Sequence, residues 1–124
     1  MNPKILVADD EPNIVISLEY LLKREGYTVV IARDGQEAVD AIIREQPDLV
    51  LLDVMMPKKT GFEVCQEIRT MASVQATKIL MLTAKGRDTD VAKGLALGAD
   101  AYMTKPFATR ELVQKVAMML GTAT

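Results

Sequence analysis

Ile5-Leu6-Val7-Ala8-Asp9-Asp10-Glu11-Pro12 is the stretch on which the fold turns. A continuous apolar run, rather than an alternating one, describes a strand covered on both faces. It stops abruptly in acidic residues, and Pro12 then takes the first helical position, where a missing N–H costs nothing. The pattern repeats along the chain. Strands are expected at Lys4–Ala8, Thr28–Ala32, Leu49–Leu52, Lys78–Leu82 and Ala101–Thr104, the last with the weaker composition of an edge.

Segments of helical period lie between and after these runs. The first begins at Pro12, aligns Ile14, Leu18, Leu21 and Leu22 on one stripe, and stops at Gly26. The second starts near Asp34-Gly35 with Ala38, Ile42 and Ile43 inward, and ends before Pro47. The third begins around Thr60-Gly61 and turns Val64, Ile68 and Met71 to the core. The fourth runs from about Arg87 to Leu97, burying Val91 and Leu95, with Gly98 closing it. The fifth follows Pro106, with Thr109 as N-cap and Leu112, Val116, Met119 and Leu120 inward. Alternating β and α at this spacing demands right-handed crossovers onto a parallel sheet with helices on both faces. The expected fold is a doubly wound α/β (βα)5 domain spanning residues 1–124, without linker, repeat or low-complexity tract.

Composition narrows the chemistry. A chain of 124 residues, 49% apolar, can bury a real core. The net charge of −2 supplies no electrostatic reason to bind nucleic acid directly. No apolar run approaches the roughly 20 residues of a membrane-spanning helix. The start, Met-Asn-Pro-Lys, leads straight into a strand and reads as neither secretory signal nor transit peptide. The lone Cys65 has no internal disulfide partner and fits a cytoplasmic location and a small apolar packing role. With no histidine, the chain has no Ser-His-Asp triad, no His-ligated zinc and no phosphohistidine of its own.

Asp9, Asp10, Asp53, Thr83 and Lys105 each fall at or just past the end of an expected strand. In an open parallel sheet those ends share one edge, where ligands bind. Two like charges 4 Å apart repel by about 4 kcal/mol at an effective dielectric of 20. Converging carboxylates therefore call for a divalent cation such as Mg²⁺, which prefers oxygen ligands. A hydroxyl and an ammonium beside them suit a phosphoryl group. Taken singly, each Asp would more simply be a helix cap and Lys105-Pro106 a solvated turn.

The sequence resembles the receiver domain of bacterial two-component response regulators, from Lys4 to about Leu120. The matching stretches are Ile-Leu-Val-Ala-Asp-Asp-Glu-Pro (5–12), Leu-Leu-Asp-Val-Met-Met-Pro (51–57), Leu-Thr-Ala (82–84) and Gly-Ala-Asp-Ala-Tyr-Met-Thr-Lys-Pro-Phe (98–107). The resemblance implies a flavodoxin-like strand order 2-1-3-4-5. It also implies that Asp53 is the phosphoacceptor, taking a phosphoryl group from a sensor histidine kinase or histidine phosphotransfer protein. Asp10, Asp53 and the backbone carbonyl of Met55 would then hold Mg²⁺, with Asp9 acting partly through water. Lys105 would pair with Asp53 and later with the phosphoryl group, and the Lys105–Pro106 bond would be cis. Thr83 and Tyr102 would form a switch acting on the face made by the fourth helix, fifth strand and fifth helix. Such a protein is a signalling module rather than a turnover enzyme.

Departures from the family pattern carry further expectations. Met55 and Lys85 stand where a carboxylate or amide would orient an attacking water, so slow autodephosphorylation is expected. Lys93, Asp100, Glu111 and Lys115 resemble charges through which transcription-factor receivers dimerise, yet Ala96 and Ala101 replace acidic residues there. A phosphorylation-dependent dimer and a separate output domain or effector both stay open. So does the choice between a stand-alone regulator and a receiver from a longer protein. Two rival readings are a Mg²⁺-dependent phosphohydrolase with an Asp nucleophile and a flavodoxin-like binding module. The first usually carries a second Asp where Met55 stands. The second lacks any glycine-rich phosphate loop after the first strand.

Overall fold

Five parallel strands run side by side in the order β2-β1-β3-β4-β5 in the computed structural model, which describes residues 2–84 and 86–121. The strands are β1 (Lys4–Ala8), β2 (Thr28–Ala32), β3 (Leu49–Asp53), β4 (Lys78–Ala84) and β5 (Ala101–Lys105). They alternate with α1 (Pro12–Arg24), α2 (Gly35–Glu45), α3 (Gly61–Arg69), α4 (Asp88–Ala96) and α5 (Thr109–Leu120). The expected topology and all five strands are present. Three strands, however, run past their expected ends. β3 takes in Asp53, β4 takes in Thr83 and Ala84, and β5 takes in Lys105. Ladder pairing of Asp53 with Leu82, Thr83 with Thr104 and Ala84 with Lys105 continues the sheet beyond the apolar runs. Hydrophobicity alone therefore marks these strands short at the edge where polar residues begin.

The central strands are buried on both faces, and their side chains divide by parity between two cores. Leu6, Val50, Leu52, Ile79 and Met81 pack with Val39, Ile42, Val64 and Ile68 from α2 and α3. Ile5, Val7, Leu49, Leu51, Leu80 and Leu82 pack with Leu18, Leu22, Leu112 and Val116 from α1 and α5. Each fully buried Leu or Ile contributes about 1.5–3 kcal/mol relative to exposure. Cys65 is fully buried in the first of these cores, as a small apolar residue would be.

Helix ends follow local chemistry in some places and not in others. The Asp34 carboxylate accepts the Glu37 N–H at 2.8 Å and caps α2. Thr60 and Glu63 form a reciprocal capping box at the start of α3. Thr109 does not cap α5: backbone through Ala108 stays extended, so Ala108 takes the cap position and Thr109 is already helical. Two expected core residues point outward instead. Ile43 is exposed because α2 rests on Ala38, Val39, Ala41 and Ile42. Leu95 is exposed because α4 meets the sheet through Gly94, its one buried residue, which lies against Met81 and Phe62. Val91 is only half-buried.

Gly61 positions the end of β3. Its N–H donates to the Val54 carbonyl at 2.8 Å, and a Cβ there would collide with the Asp53 carbonyl oxygen and the Val54 Cα. The requirement is close approach of two backbones rather than a positive φ, which Gly61 does not adopt. Gly61→Ala is expected to destabilise the fold by about 1–3 kcal/mol in urea unfolding, because backbone rather than a flexible side chain must yield.

Candidate functional site

Asp9, at the end of β1, is fully buried. Its Oδ1 accepts the Glu11 N–H at 2.9 Å, which holds the turn into α1, and its Oδ2 accepts Lys105 Nζ at 2.8 Å. Asp9 thus stabilises a local turn and orients a cation at the same time. Asp10 is exposed beside it, and Asp53 is almost wholly covered at the end of β3. One carboxylate oxygen from each of Asp9, Asp10 and Asp53 lies within 4.8 Å of the others. Asp53 Oδ1 accepts the Met55 N–H at 3.3 Å and lies 3.4 Å from Lys105 Nζ. Lys105 Nζ is also 3.4 Å from Glu11 Oε1, and the Lys105–Pro106 bond is cis.

Electrostatics follow from this crowding. Burial, and then the neighbouring Asp9 charge, push the Asp53 carboxyl from the ordinary 3.8 to about 6. Lys105 and the Met55 N–H oppose that rise without cancelling it. Burial works against the Lys105 charge, but Asp9, Asp53 and Glu11 together outweigh it and raise the ammonium above its ordinary value. The arrangement is a cluster of hard oxygen donors beside the Lys105 cation. It has the chemistry to bind a divalent metal and, beside Lys105, an anion.

Thr83 is buried near the end of β4, its hydroxyl donating a long 3.5 Å bond to the Met103 carbonyl. Tyr102 pairs in register with Met81, and Thr104 with Thr83, so Thr83 and Tyr102 share one sheet face, a diagonal step apart. Tyr102 is 44% exposed on the edge strand. Met55 is largely exposed at the mouth of a cleft of about 270 Å³ that Asp10, Asp53 and Lys105 also line. Lys85 lies outside the described residues. The topology thus brings Asp10, Asp53, Lys105 and Met55 to one cleft, with Asp9 fully buried against Lys105, Thr83 buried on the neighbouring strand and Tyr102 outside. Three charged lining residues were missed from sequence: Glu11, Arg87 and Asp90. Glu11 stood in the motif itself. Arg87 and Asp90 carried only the faint signal of an i,i+3 pair at a helix start.

Residues 5–117 match the family model of the response regulator receiver domain. A putative response regulator from Chloroflexus aurantiacus is similar with 34% identity and a TM-score of 0.93, over 98% of this chain and 99% of that one. A chemotaxis response regulator of Vibrio cholerae is 32% identical with a TM-score of 0.90, over 96% and 99% of the two chains. The receiver domain of a sensor histidine kinase from Pseudomonas aeruginosa is 30% identical with a TM-score of 0.90, over 98% and 99%. That structure has a magnesium ion coordinated in its active-site cleft. The chain belongs to the response regulator receiver domain family of two-component signalling systems. Receiver domains are signalling modules rather than turnover enzymes.

The raised Asp53 carboxyl has a consequence for stability. It binds its proton more tightly in the folded chain than in the unfolded one, so ionised Asp53 costs the metal-free fold stability above about pH 6. That cost fades as pH falls through 6 toward 3.8. With chelator present near pH 8, Asp53→Asn is expected to raise the unfolding free energy by about 1–3 kcal/mol. Lys105 keeps Asp9 and Glu11 as partners in the variant. Denaturant titrations at several pH values check this: the gap between the two proteins closes by about pH 4, and a gap independent of pH refutes the assignment.

Proposed function

We propose that this receiver domain takes a phosphoryl group onto Asp53 from the phosphohistidine of a sensor histidine kinase or histidine phosphotransfer protein. The observation that carries the proposal is the position of Asp53, whose carboxylate is held 3.4 Å from Lys105 Nζ within the three-carboxylate cluster. In the transfer, an Asp53 carboxylate oxygen forms a bond to phosphorus as the phosphorus–nitrogen bond breaks. The donor imidazole leaves with that electron pair, and Asp53 becomes an acyl phosphate. Lys105, oriented by Asp9, offers its ammonium to the incoming phosphoryl oxygens. The donor set is all oxygen and mutually repulsive, which fits Mg²⁺. Asp10, Asp53 and the Met55 carbonyl would hold the ion, with Asp9 through water, and when bound it neutralises charge on the transferring group.

Thr83 and Tyr102 are the proposed relay. A phosphoryl group carries about −1.5 to −2 of charge and three strong acceptors. The Thr83 hydroxyl has only a long bond to leave, and its movement opens space toward Tyr102 on the same sheet face. The output face is then α4, β5 and α5, presented to an effector or output domain. Two of the charges expected to support a dimer are engaged within the chain. Asp100 accepts from Arg69 at 2.9 Å, and Lys93 Nζ sits 4.5 Å from the Phe62 ring centre. This favours a separate effector over a symmetric dimer. We place the protein in the cytoplasm, the compartment of its proposed phosphodonors. Among the described residues no helix is long and apolar enough to cross a membrane.

Incubation with Mg²⁺ and acetyl phosphate, followed by intact mass measurement, tests the central step. One phosphoryl group is expected on the wild-type chain and none on Asp53→Asn; unchanged labelling of the variant refutes the proposal. Lifetime supplies a second test. Met55 lies at the cleft mouth and offers no group to orient water. Met55→Asn is expected to shorten the half-life of the phosphorylated form several-fold, and an unaltered decay would show that water is positioned elsewhere.

A further inference from the structure

Arg87 and Asp90 both line the cleft that holds Asp53 and Lys105. Arg87 Nε lies 2.9 Å from Asp90 Oδ2, and Nη2 donates to Asp90 Oδ1 at 3.3 Å, so the guanidinium grips the carboxylate with two prongs. The two ends differ in exposure, 56% for the Arg87 side chain and 14% for Asp90. An ion pair so open to water on its cationic side contributes little to stability. Arg87 is therefore a cation held at the cleft by a weak and replaceable partner.

We propose that Arg87 is a second phosphoryl-binding cation, kept at rest by Asp90 and taken over by the phosphoryl group on Asp53. The proposal rests on Asp53 being the phosphoryl acceptor. Lys105 already serves Asp9, Glu11 and Asp53, so beside it and the Thr83 hydroxyl a phosphoryl group with three acceptor oxygens has room for a further donor. A guanidinium matches phosphate oxygens with the same two-pronged geometry it now offers Asp90. The added negative charge also repels Asp90 from the cleft, so one event loosens the resting pair and rewards the new one. Asp90 belongs to the first turn of α4, and α4 has one buried residue, Gly94, with Val91 half-buried. The exchange therefore reaches α4 directly, by a route separate from Thr83 and Tyr102.

Calorimetric titration of the Mg²⁺-loaded chain with beryllofluoride, a phosphoryl mimic, tests the exchange. Arg87→Ala is expected to weaken binding about tenfold, and Arg87→Lys to recover part of that loss by keeping the charge. Asp90→Asn is expected to tighten binding several-fold, because it frees Arg87. A pair with a purely structural role would respond alike to loss of either partner, so equal weakening in both variants overturns the proposal. Unchanged binding in both does the same. Asp53→Asn in the wild-type background separates the two readings. If it binds beryllofluoride as well as wild type does, the phosphoacceptor assignment fails and the Arg87 role falls with it. If it does not bind while the Arg87 and Asp90 variants match wild type, only the Arg87 role fails.

Discussion

One ammonium among three carboxylates governs the working edge of this protein. Lys105 Nζ reaches Asp9 at 2.8 Å and both Asp53 and Glu11 at 3.4 Å, joining residues that lie far apart in sequence. Without that cation, the fully buried Asp9 would be an uncompensated charge beside another carboxylate, an arrangement that is strongly destabilising. With it, the cluster is held together yet incompletely neutralised, as the elevated Asp53 carboxyl records. A site in this state gains from any cation it binds and accepts an anion where a cationic side chain such as Lys105 stands beside it. Structure and chemistry are therefore set by the same contact.

Rigidity and looseness are distributed around that contact in a way that suits signalling. β1, β3 and β4 are buried on both faces, and Gly61 lets α3 begin against the backbone of Asp53 itself. Asp53 is consequently held at the end of a strand that is buried on both faces. α4 is held differently. Its far end is tied down where Arg69 donates to the Gly98 carbonyl at 2.9 Å and to Asp100. Its near end enters the cleft with Arg87 and Asp90, and little apolar surface binds it to the sheet between these points. An element anchored at one end and weakly packed along its length responds to small changes of charge at the other.

Much of the fold was legible because parallel strands covered on both faces leave continuous apolar runs, and crossover helices leave a regular stripe. The misreadings share one cause. Ile43, Leu95 and Thr109 were assigned from one-dimensional pattern, whereas the face a helix buries and the residue at which it starts depend on its neighbours. For α4 the contact is made by a glycine, which carries no hydrophobic signal. Thr60 and Glu63 are a different case, a capping box whose spacing stands in the chain but was not read from it.

The sequence by itself determined the order of strands and helices and the chemical types at the site, since local periodicity and residue chemistry are properties of the chain. It also grouped Asp9, Asp10, Asp53, Thr83 and Lys105 into one site from their places at strand ends, and the family motifs then gave each an expected role. Only the tertiary structure decided that Lys105 is bound most closely to Asp9, that Glu11, Arg87 and Asp90 face the same cleft, and that Gly61 is required by contact rather than by turn geometry. These are facts about distance between residues remote in sequence or about the packing of backbones. Such distances are set by the register of the sheet and the docking of helices on it, which no local pattern encodes.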